Sequence, residues 1–213
     1  MSEPAPSETI EGRPGVGRVE AFSDGVMAII VTIMVLELHP PLSEGMDKLW
    51  TLWPIFLAYA LSYAYVAIYW ANHHRLFSHA THVTNGLVWS NMLLLFALSL
   101  VPFSTAYLGE HEFNRTAVWL YLATMLMPSL TYIWLQSVIR RTGTQDPRSA
   151  AYHRQTSRKG AFASLLYLSG IPLTLVSPWL GIGCAALVAL LWFLPKSRID
   201  RLFDGRGAGQ TQP

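Results

Sequence analysis

Charged residues are scarce in this 213-residue chain: Asp, Glu, Lys and Arg make up 13% of it, against about a quarter in soluble domains. Hydrophobic residues, in contrast, make up 52%. A chain with so little charge and so much apolar side-chain surface is typical of an integral membrane protein, so we expect a lipid bilayer as its surroundings.

Cysteine and the common catalytic motifs are missing as well. The one cysteine, Cys184, leaves no partner for an intramolecular disulfide or a cysteine-based metal site. The chain contains no GxSxG elbow, no HExxH, no GxxxxGKS/T phosphate loop and no pair of carboxylates within an apolar run. The sequence therefore predicts neither an enzyme nor a protein with a bound cofactor.

Long apolar stretches dominate what is present. About 20 residues at 1.5 Å rise cross the roughly 30 Å of bilayer hydrocarbon. The last apolar region would measure about 54 Å as one helix, so we expect it to turn back at Ser177-Pro178. The predicted fold is all-α and polytopic, with a six-helix domain at 18–196, a disordered cytoplasmic tail at 1–17 and a second cytoplasmic tail at 197–213. The six predicted transmembrane helices are 19–38, 49–70, 83–108, 117–139, 160–176 and 179–194.

The basic residues predict the orientation of these helices. An even number of spans places both termini on one side of the membrane. With this topology all but two of the 15 Lys and Arg residues lie on the terminal side, and only Lys48 and Arg115 lie opposite. This positive-inside bias predicts cytoplasmic termini, in what we expect to be the inner membrane of a bacterium. It also accounts for the basic stretch 140–159 without a nucleic-acid partner.

Asp24 stands within the first apolar stretch, where an ionisable group is costly unless it has a partner or contacts water. At 100° per residue, one helical stripe is predicted, with Gly25 and Thr32 beside it; its members are Phe22, Val26, Ile29, Ile33 and Leu36. Asp24 lies about 140° from Ile29 on that wheel. We therefore expect its carboxylate to face neighbouring helices of its own subunit, unless it extends to the cytoplasmic interface instead.

Candidate partners for Asp24 come from the cytoplasmic third of the spans: Arg18, His73, His74 and Asn91. Ser23 and Asn91 are expected to complete the hydrogen bonding that a buried carboxylate needs. His73 and His74 belong to a histidine-rich stretch with His79 and His82, but no nearby cysteine or carboxylate completes a metal site. We interpret these histidines as interfacial residues after a span and expect no metal.

Three motifs resemble one known family. They are Arg18-x-x-x-Phe22-Ser23-Asp24 at the start of the first span, Tyr69-Trp70-Ala71-Asn72-His73-His74-Arg75-Leu76-Phe77 at the end of the second, and Asn91 followed by Val101-Pro102-Phe103 in the third. Together they are similar to the pattern of the transmembrane protein 175 potassium channels and their bacterial homologues. The resemblance covers essentially the whole chain and is most specific in the first three spans.

The resemblance implies a homotetramer in which the first helix of each subunit lines a potassium-selective pore, with potassium as the permeant ion. The chain has no TVGYG filter, and the family's pattern implies a constriction at Ile29, Ile33 and Leu36 instead. Thr32 would form a polar ring that contributes to selectivity, although a helical threonine often bonds back to the carbonyl four residues earlier, here Ala28. The resemblance leaves a structural role for Arg18, Phe22, Ser23, Asp24, His73, His74 and Asn91.

Other interpretations of the same residues remain open. Asp24 and His74 could relay protons in a proton-coupled carrier. The apolar stripe of the first helix could serve ordinary helix packing, in which case the chain would be a non-conducting membrane scaffold.

Overall fold

The computed structural model describes residues 15–41, 44–143 and 147–193, and all regular structure within these ranges is α-helical. The predicted all-α class is thereby confirmed for these ranges. The tails predicted at 1–17 and 197–213 lie outside the described residues, apart from residues 15–17. The helices are α1 (Val16–Leu36), α2 (Met46–Trp50), α3 (Trp53–Phe77), α4 (Asn85–Ser99), α5 (Val101–Glu110), α6 (Arg115–Thr142), α7 (Pro147–Leu173) and α8 (Pro178–Phe193).

Four helical units in the described chain are long and apolar enough to cross a membrane: α1, α3, α4 together with α5, and α6. Helix α8 is apolar but has 16 residues. Helix α7 has 27 residues, and its first half carries the charged sequence before Gly160. A turn between Leu173 and Pro178 connects α7 to α8, at the place where the hairpin was predicted.

Several predicted helix boundaries were wrong. The second span does not begin at residue 49, because residues 46–50 form the separate helix α2. Helix α3 begins at Trp53, where Pro54 suits a first helical turn since its missing N–H has no partner there anyway. It then continues to Phe77, so His73 and His74 lie within a helix and not after it. Helix α7 likewise begins at Pro147, well before the apolar run, because backbone hydrogen bonding does not require apolar side chains.

Local chemistry explains where several helices start and stop. Thr84 caps α4 by accepting a hydrogen bond from the Leu87 amide at 3.1 Å, and Asn114 caps α6 by accepting one from the Ala117 amide at 2.9 Å. Between α4 and α5 the helix is interrupted at Leu100. Pro102 in the first turn of α5 has no N–H to donate, which accounts for the break.

Side-chain hydrogen bonds connect α3, α5 and α6 inside the bundle. The Tyr65 hydroxyl donates to the Met125 carbonyl at 2.7 Å, and the Tyr132 hydroxyl donates to the Asn72 carbonyl at 3.1 Å. Nearer the other end, Ser62 on α3 bonds to the Tyr121 hydroxyl and accepts from Thr105 on α5. These bonds satisfy polar groups in a region where water is scarce, so they favour one arrangement of the three helices.

Helices α1 and α3 are less buried within the chain than the other two candidate spans. Helix α1 is the most apolar of the four, and 22% of its most apolar window is buried, against 28% for α3 and 50% for Asn85–Glu110 and for α6. Helix α1 therefore lies at the outside of the bundle, with contacts to α3, α4 and α5 along one side.

Candidate functional site: the first helix

Helix α1 presents two faces with opposite environments. Ser23, Met27, Ile30 and Met34 follow one another at three- and four-residue spacing and are at most 3% exposed. On the other face, Ile29 is 58%, Ile33 41% and Leu36 72% exposed, and Phe22 is exposed as well. We call Phe22, Ile29, Ile33 and Leu36 the outer stripe. The structure places all four on the face that its own subunit leaves uncovered.

A groove runs along each flank of the outer stripe. The α3 groove, of about 340 Å³, lies between α1 and α3 and includes Asp24, Ala28 and Thr32 on one wall and Tyr63, Ala67 and Trp70 on the other. The α5 groove, of about 520 Å³, lies between α1 and the α4–α5 break and includes Ile29, Ile33, Glu37, Pro102 and Phe103. The stripe is thus a ridge with a depression on each side.

Thr32 is exposed beside the outer stripe, and its hydroxyl donates to the Ile29 carbonyl at 2.9 Å. The expected bond to Ala28 was therefore wrong by one residue. Because the hydroxyl hydrogen is used within the helix, the Thr32 oxygen can act toward its surroundings only as an acceptor. An oxygen in this state can accept a hydrogen bond or contact a cation.

Asp24 faces α3, away from the outer stripe, as the helical wheel predicts. Its Oδ1 accepts a hydrogen bond of 3.0 Å from the indole Nε1 of Trp70. None of the predicted partners Arg18, His73, His74 and Asn91 makes this bond. The sequence did not identify Trp70 as a partner because an aromatic residue near a span end suggests a membrane-interface anchor. In the structure its single N–H donates a hydrogen bond to the Asp24 carboxylate.

One turn nearer the start of α1, Glu20 takes the partner that was predicted for Asp24. Its Oε1 lies 2.8 Å from His74 Nδ1, and the His74 ring stacks on Trp70 at 6.3 Å. Glu20 and Asp24 are four residues apart on α1, and Trp70 and His74 are four apart on the antiparallel helix α3. That matched spacing is the signal in the sequence that would have identified Glu20 and Trp70.

A buried hydrogen-bonded chain joins three helices beside these pairs. His73 Nε2 lies 2.8 Å from Asn91 Oδ1, Asn91 Nδ2 donates to Ser23 Oγ at 2.8 Å, and Ser23 donates to the Val19 carbonyl at 2.8 Å. The side chains of Ser23, His73 and Asn91 belong to residues that are 0% exposed. Since the Asn91 oxygen can only accept, His73 donates from Nε2. The chain connects α1, α3 and α4.

The structure therefore gathers most of the predicted motif residues but divides them between two sets. Ser23, His73 and Asn91 form the buried chain, whereas Asp24 and His74 bond to Trp70 and Glu20. Arg18 and Phe22 are exposed on α1. Within the described ranges, no group of three or more His, Cys, Asp or Glu side chains is arranged to hold a metal ion.

Comparisons with known proteins identify the family of this chain. Residues 18–102 match the model of the endosomal/lysosomal potassium channel TMEM175. The chain is 41% identical over 186 residues to a potassium channel of Chryseobacterium sp., covering 87% of this chain and 96% of that protein. It is 30% identical to the endosomal/lysosomal proton channel TMEM175 of Mus musculus over 61% of this chain and 30% of that one.

A solved structure is similar as well. The crystal structure of a lysosomal potassium-selective channel TMEM175 homolog from Chamaesiphon minutus matches this fold with a TM-score of 0.74 and 30% sequence identity, covering 83% of this chain and 95% of that chain. The chain belongs to the TMEM175 family.

Proposed function

We propose that this protein is the subunit of a homotetrameric, potassium-selective channel whose pore is lined by α1. The observation that carries the proposal is the outer stripe: the most apolar candidate span leaves Ile29, Ile33 and Leu36 uncovered while its opposite face is packed. The similarity to the Chryseobacterium potassium channel and to the potassium-selective Chamaesiphon channel supports potassium as the permeant ion.

The proposal includes six membrane crossings per subunit, with the apolar part of α7 and the short helix α8 as the fifth and sixth. Arg115, at the start of α6, donates to the Leu175 carbonyl in the α7–α8 turn at 3.1 Å. This bond supports a common side of the membrane for the start of α6 and the turn. Arg140 and Arg141 in the last turn of α6 then lie on the opposite, cytoplasmic side. We place the protein in a bacterial cell membrane with cytoplasmic termini.

In this channel, four copies of Ile29, Ile33 and Leu36 form an apolar constriction around the axis. Such a constriction excludes water and blocks ions until the helices shift apart. Thr32 supplies an acceptor oxygen that replaces part of an ion's hydration shell. Glu37, near the outer end of α1, attracts cations to the mouth. No bound cofactor takes part.

The motif network has a mechanical role in this proposal. The buried chain through Ser23, Asn91 and His73 attaches the cytoplasmic part of α1 to α3 and α4. Asp24 and Glu20 add two bonds to α3. With its inner half held at these points, α1 keeps the outer stripe turned toward the axis, and opening is confined to the less restrained outer half.

The test is potassium flux in liposomes that contain the purified full-length protein. We expect the wild type to carry potassium, and Ile29→Asn to raise the flux because an amide hydrates the constriction. The matched control is Leu168→Asn, since Leu168 is an exposed apolar residue on α7, away from α1; its flux should equal that of the wild type. Folded wild-type protein that carries no potassium would contradict the proposal.

Proton transport is the second candidate, because the Mus musculus relative is named a proton channel. The carrier mechanism through Asp24 and His74 has no direct pair to support it, since the two side chains bond to Trp70 and Glu20. A pH-sensitive dye inside the same liposomes distinguishes the ions. Proton flux without potassium flux would favour the second candidate.

Thr32→Val tests the proposed selectivity. The substitution removes the exposed oxygen but keeps the shape of the side chain, so it should reduce the preference for potassium over sodium.

A further inference from the structure

Helix α7 carries an exposed stripe that changes from basic to apolar within a single turn. Arg154 and Arg158 are exposed, and Phe162 and Leu165 follow them on the same side, exposed by 43% and 62%. At 100° per residue, these four residues lie within about 80° of one another. Arg158 precedes Phe162 by four residues, which is about 6 Å along the helix axis. The stripe therefore suits a boundary between a polar and an apolar environment.

Helix α6 carries a matching stripe in the opposite order. Leu130 is 53% and Trp134 46% exposed, and exposed Arg141 lies in the last turn. These three residues lie within about 40° of one another on the helical wheel. Tryptophan is enriched where the hydrocarbon of a bilayer meets the headgroups. The change from apolar to basic on α6 thus has a tryptophan at its boundary.

The two stripes lie on the same side of the α6–α7 pair. Ser129 Oγ lies 2.8 Å from Ser164 Oγ, and Gln136 Nε2 donates to the His153 carbonyl at 3.0 Å, so the two helices pack antiparallel. Measured from the two facing serines in the direction of the chain, each stripe lies about 120° around its own helix. Because the helices run in opposite directions, these equal rotations turn both stripes to one side.

The stripes also lie at matching depth. Gln136 is level with His153. On the antiparallel partner, Trp134 is therefore level with residue 155, within one turn of Arg158. Arg154 and Arg141 follow toward the end of the pair at which α6 stops and α7 starts. The basic parts of the two stripes thus form one surface, and so do the apolar parts.

The charge at this end of the pair is almost entirely positive. Residues 140–159 contain six Arg or Lys residues and one acidic residue, Asp146, and the sequence of α7 contains no Asp or Glu. In the topology proposed above, this end meets the cytoplasmic leaflet. Anionic lipids give a leaflet a negative surface potential, which attracts basic segments at the membrane surface. Charge complementarity therefore favours an anionic lipid beside the basic surface.

Arg154 and Arg158 have the spacing and the chemistry to bind one phosphate. Residues four apart on one helix face are neighbours, with about 5–6 Å between their Cβ atoms. A guanidinium group is planar, keeps its charge and binds phosphate oxygens through two N–H donors at once. Two such groups on one face can contact a single phosphodiester, whose acyl chains then extend along the apolar residues one turn further.

We propose that the α6–α7 surface is a binding site for an anionic phospholipid, with Arg154 and Arg158 on its phosphate, Arg141 beside its headgroup, and its acyl chains against Phe162 and Leu165. The inference uses the membrane crossing of α7 that belongs to the proposed function, but it does not require ion conduction. Helix α1 packs against α3, α4 and α5, so the lipid site lies apart from the outer stripe.

Native mass spectrometry of the purified full-length protein tests the site, with dioleoyl phosphatidylglycerol as the probe and dioleoyl phosphatidylcholine as the neutral reference. The wild type should bind phosphatidylglycerol in preference. Each basic residue near a membrane surface strengthens binding about fivefold, so Arg154→Gln combined with Arg158→Gln should weaken it about thirtyfold. The matched control is Lys48→Gln combined with Arg75→Gln, which removes the same charge at exposed residues of α2 and α3 and should keep the preference. Equal losses in the two double variants, or no loss in either, would overturn the inference.

Thermal unfolding of the wild type in detergent gives an independent measurement that needs no variant. Phosphatidylglycerol should raise the unfolding midpoint more than phosphatidylcholine does, because a ligand that binds the folded state stabilises it. Soluble glycerol 3-phosphate should leave the midpoint unchanged, since it has no acyl chains to contact Phe162 and Leu165. Equal stabilisation by glycerol 3-phosphate, or by the two lipids, would contradict a phospholipid site. Potassium flux is measured separately: lipid preference without flux refutes the proposed function alone, and flux without lipid preference refutes the lipid site alone.

Discussion

Asn91 on α4 donates a hydrogen bond of 2.8 Å to Ser23 on α1, and both residues are 0% exposed. The same amide accepts from His73 on α3 through its oxygen. One side chain thus satisfies two neighbours on two other helices. In a bilayer this arrangement matters because no water is available to replace a lost partner.

Asn91→Ala should destabilise the protein by about 1–3 kcal/mol, because it leaves the His73 Nε2–H without its acceptor and removes the donor to Ser23. The measurement is thermal unfolding in detergent. Ser90→Ala is the control, since buried Ser90 bonds only to carbonyls of its own helix, at Gly86 and Leu87. Equal losses in the two variants would show that Asn91 does not hold the helices together.

Asp24→Asn should leave potassium flux close to that of the wild type. The amide oxygen can still accept the hydrogen bond from Trp70 Nε1, so the attachment of α1 to α3 survives while the charge is lost. A proton relay requires the ionisable group, and it predicts that transport is abolished. Trp70→Phe, which removes the donor and keeps a ring, should reduce thermal stability more than Asp24→Asn does.

Gly109→Ala should destabilise the contact between α5 and α3 by about 1–3 kcal/mol. A Cβ at Gly109 would lie 2.8 Å from Ile55 Cα, and a backbone atom cannot move aside cheaply. The control is Gly86→Ala on α4, where the nearest atom is 3.5 Å away and alanine favours the helix. The midpoint of thermal unfolding should fall in the first variant and hold or rise in the second.

Acidification should destabilise the protein through His153, in the basic first half of α7. Burial, reinforced by the nearby His79 and Arg140, lowers the pKa of His153 from its usual value of 6.5 to about 4. The unfolded chain therefore binds more protons between these values, and stability present above pH 6.5 is lost as the pH falls toward 4. Unfolding midpoints at pH 7.5 and pH 5 measure this loss.

His153→Gln should reduce the difference between the two midpoints, because glutamine does not titrate. His82→Gln, at an exposed histidine in the loop before α4, should leave the difference as in the wild type. A pH dependence that is unchanged in His153→Gln would assign the effect to other groups.

The sequence by itself determined the helical class, the family and the division of α1 into two faces. These follow from apolar runs of membrane length, from the motif around Phe22-Ser23-Asp24 and from the 100° step between residues. Each is a property of one segment, so it can be read without knowing what packs against that segment.

Tertiary structure alone decided which side chains meet. Asp24 bonds to Trp70 and Glu20 approaches His74 because α1 and α3 run antiparallel at one axial register, and a local pattern does not contain that register. The apolar pattern also failed to predict the start of α3 at Trp53 and the long polar beginning of α7. Apolar length indicates contact with hydrocarbon, whereas a helix extends as far as its backbone hydrogen bonds do. The groove between α1 and α3 exists only once these helices have packed together.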